Sequence, residues 1–110
     1  MKISKELLKG STSLMVLKVI AQRDMYGYQI IGEIAARSNE TFKLNEGTLY
    51  PILHALEKEG VLTSYRGESE IGRERKYYKI TTAGKLQLTA RMEEWAAFTD
   101  AVNGVLREGC

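Results

Sequence analysis

The sequence predicts an α+β fold that is mostly α, with three helical stretches, a two-stranded hairpin and one long terminal helix. Three observations lead there. Apolar residues recur at helical spacing in three separate segments before Gly60. Between Val61 and Ile80 the period shortens to two and the residues become β-branched and aromatic. After Thr81 an apolar stripe steps by four and three as far as Leu106. At 110 residues the chain is long enough for one core and short enough to be marginal alone.

Composition narrows the function classes. A net charge of +2 is mild and by itself calls for no nucleic acid. The single cysteine, Cys110, closes the chain, which excludes a disulfide framework and a cysteine metal cluster and leaves an exposed thiol on a frayed tail. One histidine without acidic or histidine partners at ligand spacing gives no metal site, and no cofactor is expected. No stretch can span a bilayer and no cleavable apolar leader opens the chain, so the expected setting is the reducing cytoplasm.

Lys2, Lys5 and Lys9 lead into the first helix, where Leu7, Leu14, Leu17 and Ala21 share one face and Val16, Val19 and Ile20 crowd the next. A helix apolar over most of its girth is buried on more than one side, and a second subunit can supply the cover. Gln22-Arg23-Asp24 ends it. A second helix, Tyr28 to Ser38, turns Ile30, Ile31, Ile34 and Ala35 inward, with Gly27 before it for a turn or close packing. Tyr26 and Tyr28 admit two readings: buried rings with wet hydroxyls, or a hydroxyl on a phosphate. Asn39 to Thr41 is a turn, and the alternation Phe42-Lys43-Leu44 predicts a very short strand.

Residues Asn45 to Gly60, NEGTLYPILHALEKEG, form the third helix, with Asn45 as N-cap and Gly60 as the C′ residue. Leu49, Ile52, Leu53 and Leu56 make one apolar stripe. Thr48, Tyr50 and His54 fall off it and leave a short polar, partly aromatic face for a partner, and DNA is the expected one. Pro51 removes one hydrogen bond and crowds the carbonyl of Gly47, so a bent or loosened first turn is expected. The free N–H groups of such a turn suit a phosphate.

The hairpin strands are Val61 to Arg66 and Arg75 to Ile80, with Gly67 and Gly72 bracketing a polar tip. Arg73, Arg75, Lys76 and Lys79 accompany Tyr77 and Tyr78 on the returning side. Basic residues interleaved with aromatics suit DNA backbone contact; equally, such charges keep an edge strand from aggregating. Thr81 caps the last helix, about Thr82 to Leu106, in which Leu88, Met92, Trp95, Thr99, Val102 and Leu106 form a heptad seam. A seam this long exceeds what one small core needs, so a homodimer is expected, the helix packing on its twin or on the partner's first helix. Residues 1–81 would then be the DNA-binding part and residues 82–110 the dimerisation helix.

Three helices followed by a basic hairpin is the order of a winged helix-turn-helix. NEGTLYPILHALEKEG, the segment GRERKYYKIT with Gly84 after it, and the earlier YGY together resemble the PadR family of transcriptional regulators. The likeness covers nearly the whole chain, and the single terminal helix resembles the short subfamily. It implies a cytoplasmic homodimer, usually a repressor, with the third helix in the major groove and the wing on adjacent backbone. Asn45, Gly47, Thr48, Tyr50 and His54 would face the DNA, with Arg73, Lys76 and Tyr77 as wing contacts; apart from the resemblance, the Tyr28 hydroxyl is a candidate phosphate contact, and Lys5 and Lys9 are expected to add affinity. One departure is Ala55, where members often carry a basic residue. Glu46, Glu57 and Glu59 against Lys58 leave this helix net acidic. The resemblance to drug-sensing members also implies a planar aromatic effector held between subunits against Trp95, with Leu7, Leu14, Met92 and Thr99 around it; Trp95 could instead simply pack the dimer.

An enzyme is not expected, since His54 has no Ser, Cys or Asp partner at a telling spacing and no phosphate-cradling glycine loop is present. The alternative to a DNA-binding repressor is a winged-helix protein-interaction module, with which an acidic third helix is compatible.

Overall fold

The computed structural model describes residues 2–109, so the expectation for Cys110 lies outside the described residues. The expected first helix is two helices: α1, Lys5–Leu8, and α2, Thr12–Gln22. Three groups crowd the Leu8 carbonyl between them. The Ser11 N–H donates to it at 3.0 Å, the Ser11 hydroxyl at 3.2 Å and the Thr12 hydroxyl at 2.9 Å. Side-chain hydroxyls offering the backbone such alternatives, next to a glycine, break a helix that periodicity alone would continue. Leu7 is consequently 71% exposed and does not share a buried face with Leu17.

The core gathers on α2. Val16, Leu17, Val19 and Ile20 are buried there against Ile30 and Ile34 of α3, Gly27–Arg37, and Leu49, Leu53 and Leu56 of α4, Glu46–Lys58. Leu14 and Met15 lie half-buried on its other side, so α2 is indeed apolar around most of its girth.

No strand forms at Phe42–Leu44. The chain leaves α3 through Asn39 (φ 51°) and Glu40 (φ 64°), and the Ser38 hydroxyl accepts the Phe42 N–H at 3.0 Å. Phe42 and Leu44 satisfy their alternation by packing on the core from an unpaired extended segment. The third strand comes instead from β1, Met25–Tyr26, ahead of α3. With β2, Leu62–Glu68, and β3, Glu74–Ile80, it makes an antiparallel sheet in the order β1-β3-β2. Met25 pairs with Tyr78 and Tyr26 with Tyr77; on the other side the register runs from Leu62–Ile80 to Glu68–Glu74. Alternation across this register buries Leu62, Tyr78 and Ile80, so Tyr78 belongs to the core and not to the projecting ribbon.

The last helix, α5, spans Thr82–Leu106 as expected. Thr81 fixes its start: the hydroxyl accepts the Gly84 N–H at 3.0 Å and donates to the Gly60 carbonyl at 2.7 Å. A Cβ on Gly84 would overlap the Val61 carbonyl oxygen, so only glycine lets this turn sit on the hairpin. Beyond the buried Leu88 the helix leaves the core, and Met92 and Trp95 are each 42% exposed. Among the described residues no helix is long and apolar enough to cross a membrane.

Candidate nucleic-acid interface and apolar groove

The start of α4 is set by Asn45, whose side-chain oxygen accepts the Thr48 N–H at 2.9 Å. That oxygen is therefore occupied, and only the amide donors of Asn45 remain to reach outward. The helix runs without interruption through Pro51. It ends in a Schellman arrangement: the Gly60 N–H (φ +80°) donates to Glu57 and the Val61 N–H to Leu56, while Leu56 and Val61 are both buried. Leu49, Leu53 and Leu56 point inward, and Asn45, Gly47, Thr48, Tyr50 and His54 are all exposed. The outward face is the expected one.

Tyr50 also packs inward at its edge. A Cβ on Gly27 would lie 2.7 Å from its hydroxyl, so the first residue of α3 is glycine because a ring lies over it. Tyr28 is 60% exposed beside it, and the Glu46 carboxylate next to its hydroxyl pushes the phenol above its usual range. Lys5 is exposed on α1, whose residues bury nothing, and no hydrogen bond or ion pair among the described residues ties it to α4 or the wing.

On the wing, Arg73 is exposed at the turn, where its carbonyl accepts the Ser69 N–H at 2.8 Å. Lys76 lies 3.8 Å from the Glu57 carboxylate, which also accepts the Ser64 hydroxyl at 2.7 Å. Glu57 thus spends its charge tying α4 to the sheet. Tyr77 is half-buried: its ring stacks on Tyr65 at 5.6 Å, meets Tyr26 edge-on at 5.4 Å, and its hydroxyl donates to the Glu68 carbonyl. Tyr65 in turn donates to Asp24 at 2.5 Å, which raises its pKa first through that bond and then through desolvation. These rings brace the wing. Arg75, grouped in the sequence with the basic residues suited to backbone contact, lies over the rings of Tyr26 and Tyr28 at 4.9 and 5.6 Å.

A second feature is apolar. Leu14, Met15, Val19, Phe42, Met92 and Trp95 line an open apolar groove of about 550 Å³. Across Trp95 a smaller hollow of about 250 Å³ adds Gly10, Arg91 and Phe98. Of the residues expected around an effector, the fold brings Leu14, Met92 and Trp95 together. Leu7 and Thr99 line neither hollow in the single chain; the Thr99 hydroxyl turns back to the Trp95 carbonyl at 3.0 Å. Phe98, whose ring lies 6.0 Å from that of Trp95, was missed, although its three-residue step from Trp95 was visible in the sequence.

The family model described as the transcriptional regulator PadR-like family matches residues 16–90, from the middle of α2 into α5. The chain belongs to the PadR-like family. A PadR-like transcriptional regulator from Bacillus cereus superposes with a TM-score of 0.84 at 31% identity, covering 96% of this chain and 100% of that one. A transcriptional regulator from Clostridium thermocellum gives 0.85 at 31% identity, covering 96% and 99%. A transcriptional regulator of Mycobacterium tuberculosis is 33% identical over 77% of this chain and 76% of its own length. PadR membership makes the chain a transcriptional regulator, with DNA as its partner, on a mostly helical winged-helix fold. The span matched by the family model ends before Met92 and Trp95.

Proposed function

We propose that this PadR-like chain is a repressor that binds a roughly palindromic operator as a homodimer. Two copies of α4 enter successive major grooves about 34 Å apart, and the wings follow the flanking backbone. The observation that carries this reading is the exposed polar face of α4, Asn45, Gly47, Thr48, Tyr50 and His54, together with a wing whose Arg73 is exposed. Of the acidic residues that make α4 compatible with a protein-interaction module, Glu57 is engaged by Lys76 and Ser64. The second copy is called for by α5, where Trp95, Phe98, Val102 and Leu106 remain exposed in the single chain.

Repression is relieved when a planar aromatic compound settles against Trp95 between the subunits, with Leu14 and Met92 in the same groove. Such a ligand favours a spacing of the two α4 helices that mismatches the operator, a population shift. Binding to DNA from just upstream of the chain's own coding region is the direct test. With roughly 6 to 10 phosphate contacts per dimer, affinity falls by roughly 10³ to 10⁵ between 50 and 200 mM salt. A salt slope near zero removes the basis of the reading.

A further inference from the structure

A small polar cavity of about 230 Å³ sits at the base of the wing, where β3 passes the start of α3 and the ring of Tyr50 on α4. Arg66, Arg75 and Lys76 line it with Glu74 as the one carboxylate. Glu74 lies 3.7 Å from Arg66, and Lys76 is drawn to Glu57. Arg75 takes part in no ion pair among the described residues, and its buried Nε has no acceptor. Two ring faces, Tyr26 and Tyr28, fix the plane of its guanidinium without using its N–H donors. Tyr50 of α4 and the first turn of α3, a helix of 11 residues, complete the lining. Glu46 does not line the cavity; its carboxylate acts on the Tyr28 hydroxyl.

We propose that this cavity seats one phosphate of the operator backbone, with Arg75 as the planar two-pronged donor and Tyr50 donating from the α4 side. An immobilised guanidinium with open donors matches two phosphate oxygens better than a mobile ammonium does. The free N–H groups and positive end of α3 add to the same field. The cavity opens between the helix that enters the groove and the wing that follows the strand, so a phosphate held there fixes the two relative to each other. Gly27 keeps the seat open, since a side chain there would displace the Tyr50 hydroxyl. The proposal rests on the DNA-binding reading above and adds to it a site at which Arg75, not Lys76, is the principal cation.

The test compares wild type with R75A, R75K and Y50F on operator DNA in which single phosphates are replaced, one at a time, by neutral methylphosphonates. R75A is expected to lose roughly tenfold or more in affinity, as for a charged hydrogen bond, and to lower the salt slope by about 1. One phosphate position per half-site should matter to wild type and cease to matter in R75A. R75K should keep the salt slope while losing affinity, and Y50F should lose affinity with the slope unchanged. Should R75A fail to fold, R75K and Y50F carry the same phosphate comparison. If every methylphosphonate costs wild type and the variants alike, the phosphate seat is refuted while DNA binding stands. If wild type binds no DNA at any salt, the underlying reading falls and the seat with it.

Discussion

Gly84 and Gly27 look alike in the sequence, yet neither needs glycine for its dihedrals; both are glycine because something lies where a Cβ would be. At Gly84 the obstacle is backbone, the Val61 carbonyl, which cannot swing aside. Gly84→Ala should therefore destabilise by about 1–3 kcal/mol, the usual range for overpacking, read as a fall in the urea midpoint. A midpoint within error of wild type would show that α5 can lift off the hairpin at no cost. At Gly27 the obstacle is the Tyr50 hydroxyl at 2.7 Å, which a side chain can yield. Three tyrosines carry a second residue-scale consequence. Tyr28 and Tyr65 are held protonated chiefly by carboxylate partners and Tyr78 chiefly by burial, all above the ordinary phenol value of 10.0. The unfolded chain then releases these protons first, so the associated stability is complete below pH 10 and disappears as pH climbs through the raised folded values. Thermal unfolding followed from pH 8 to 11 should show a falling midpoint only in the upper part of that range. A flat profile would count against the raised pKa values.

Between elements, the contact that matters most is Glu57 of α4 with Ser64 of β2 and Lys76 of β3. It ties α4 to the wing, and it occupies Lys76. Arg73→Ala should lower the salt slope of DNA binding by about 1, whereas Lys76→Ala should lower it by less. Glu57→Gln is expected to tighten DNA binding and steepen its salt dependence, at a cost of about 1 kcal/mol in stability because the ion pair is partly solvated. Unchanged binding by Glu57→Gln would mean Lys76 is not held back by its partner. By contrast, Thr48→Ala and His54→Ala should alter which sequences are preferred, measured by selection from a random pool, because base contacts specify and phosphate contacts only position.

At the scale of the whole molecule, the exposed face of α5 calls for a second copy. Trp95, Phe98, Val102 and Leu106 leave the α5 face uncovered past Leu88, and a paired reading of two half-sites depends on its being covered. Sedimentation of the full chain at micromolar concentration should give a dimer. Val102→Glu should split it and weaken operator binding about a hundredfold or more, since the second contact ceases to be intramolecular. A variant that is monomeric yet binds as tightly as wild type would contradict the dimeric reading. Trp95, as the single tryptophan, reports on the groove: a planar cationic dye should quench it and release DNA together.

The elements themselves were legible wherever a local pattern had no competitor. The outward face of α4, its two caps, the hairpin and the length of α5 follow from spacing, capping side chains and a glycine at the right place. The errors came where a local rule met a distant or hidden partner. The first helix breaks because three donors converge on the Leu8 carbonyl, and Phe42–Leu44 stays unpaired because β3 already has Met25–Tyr26 as its neighbour. Tyr78 is core and Tyr77 a brace because pairing register, which no single strand encodes, decides which pleat faces inward. Periodicity and caps act within a few residues and can be read along the chain. The vacant donors of Arg75, the ion pair of Glu57 and the groove beside Trp95 depend on residues far apart in sequence, and only the folded chain brings them within reach of one another.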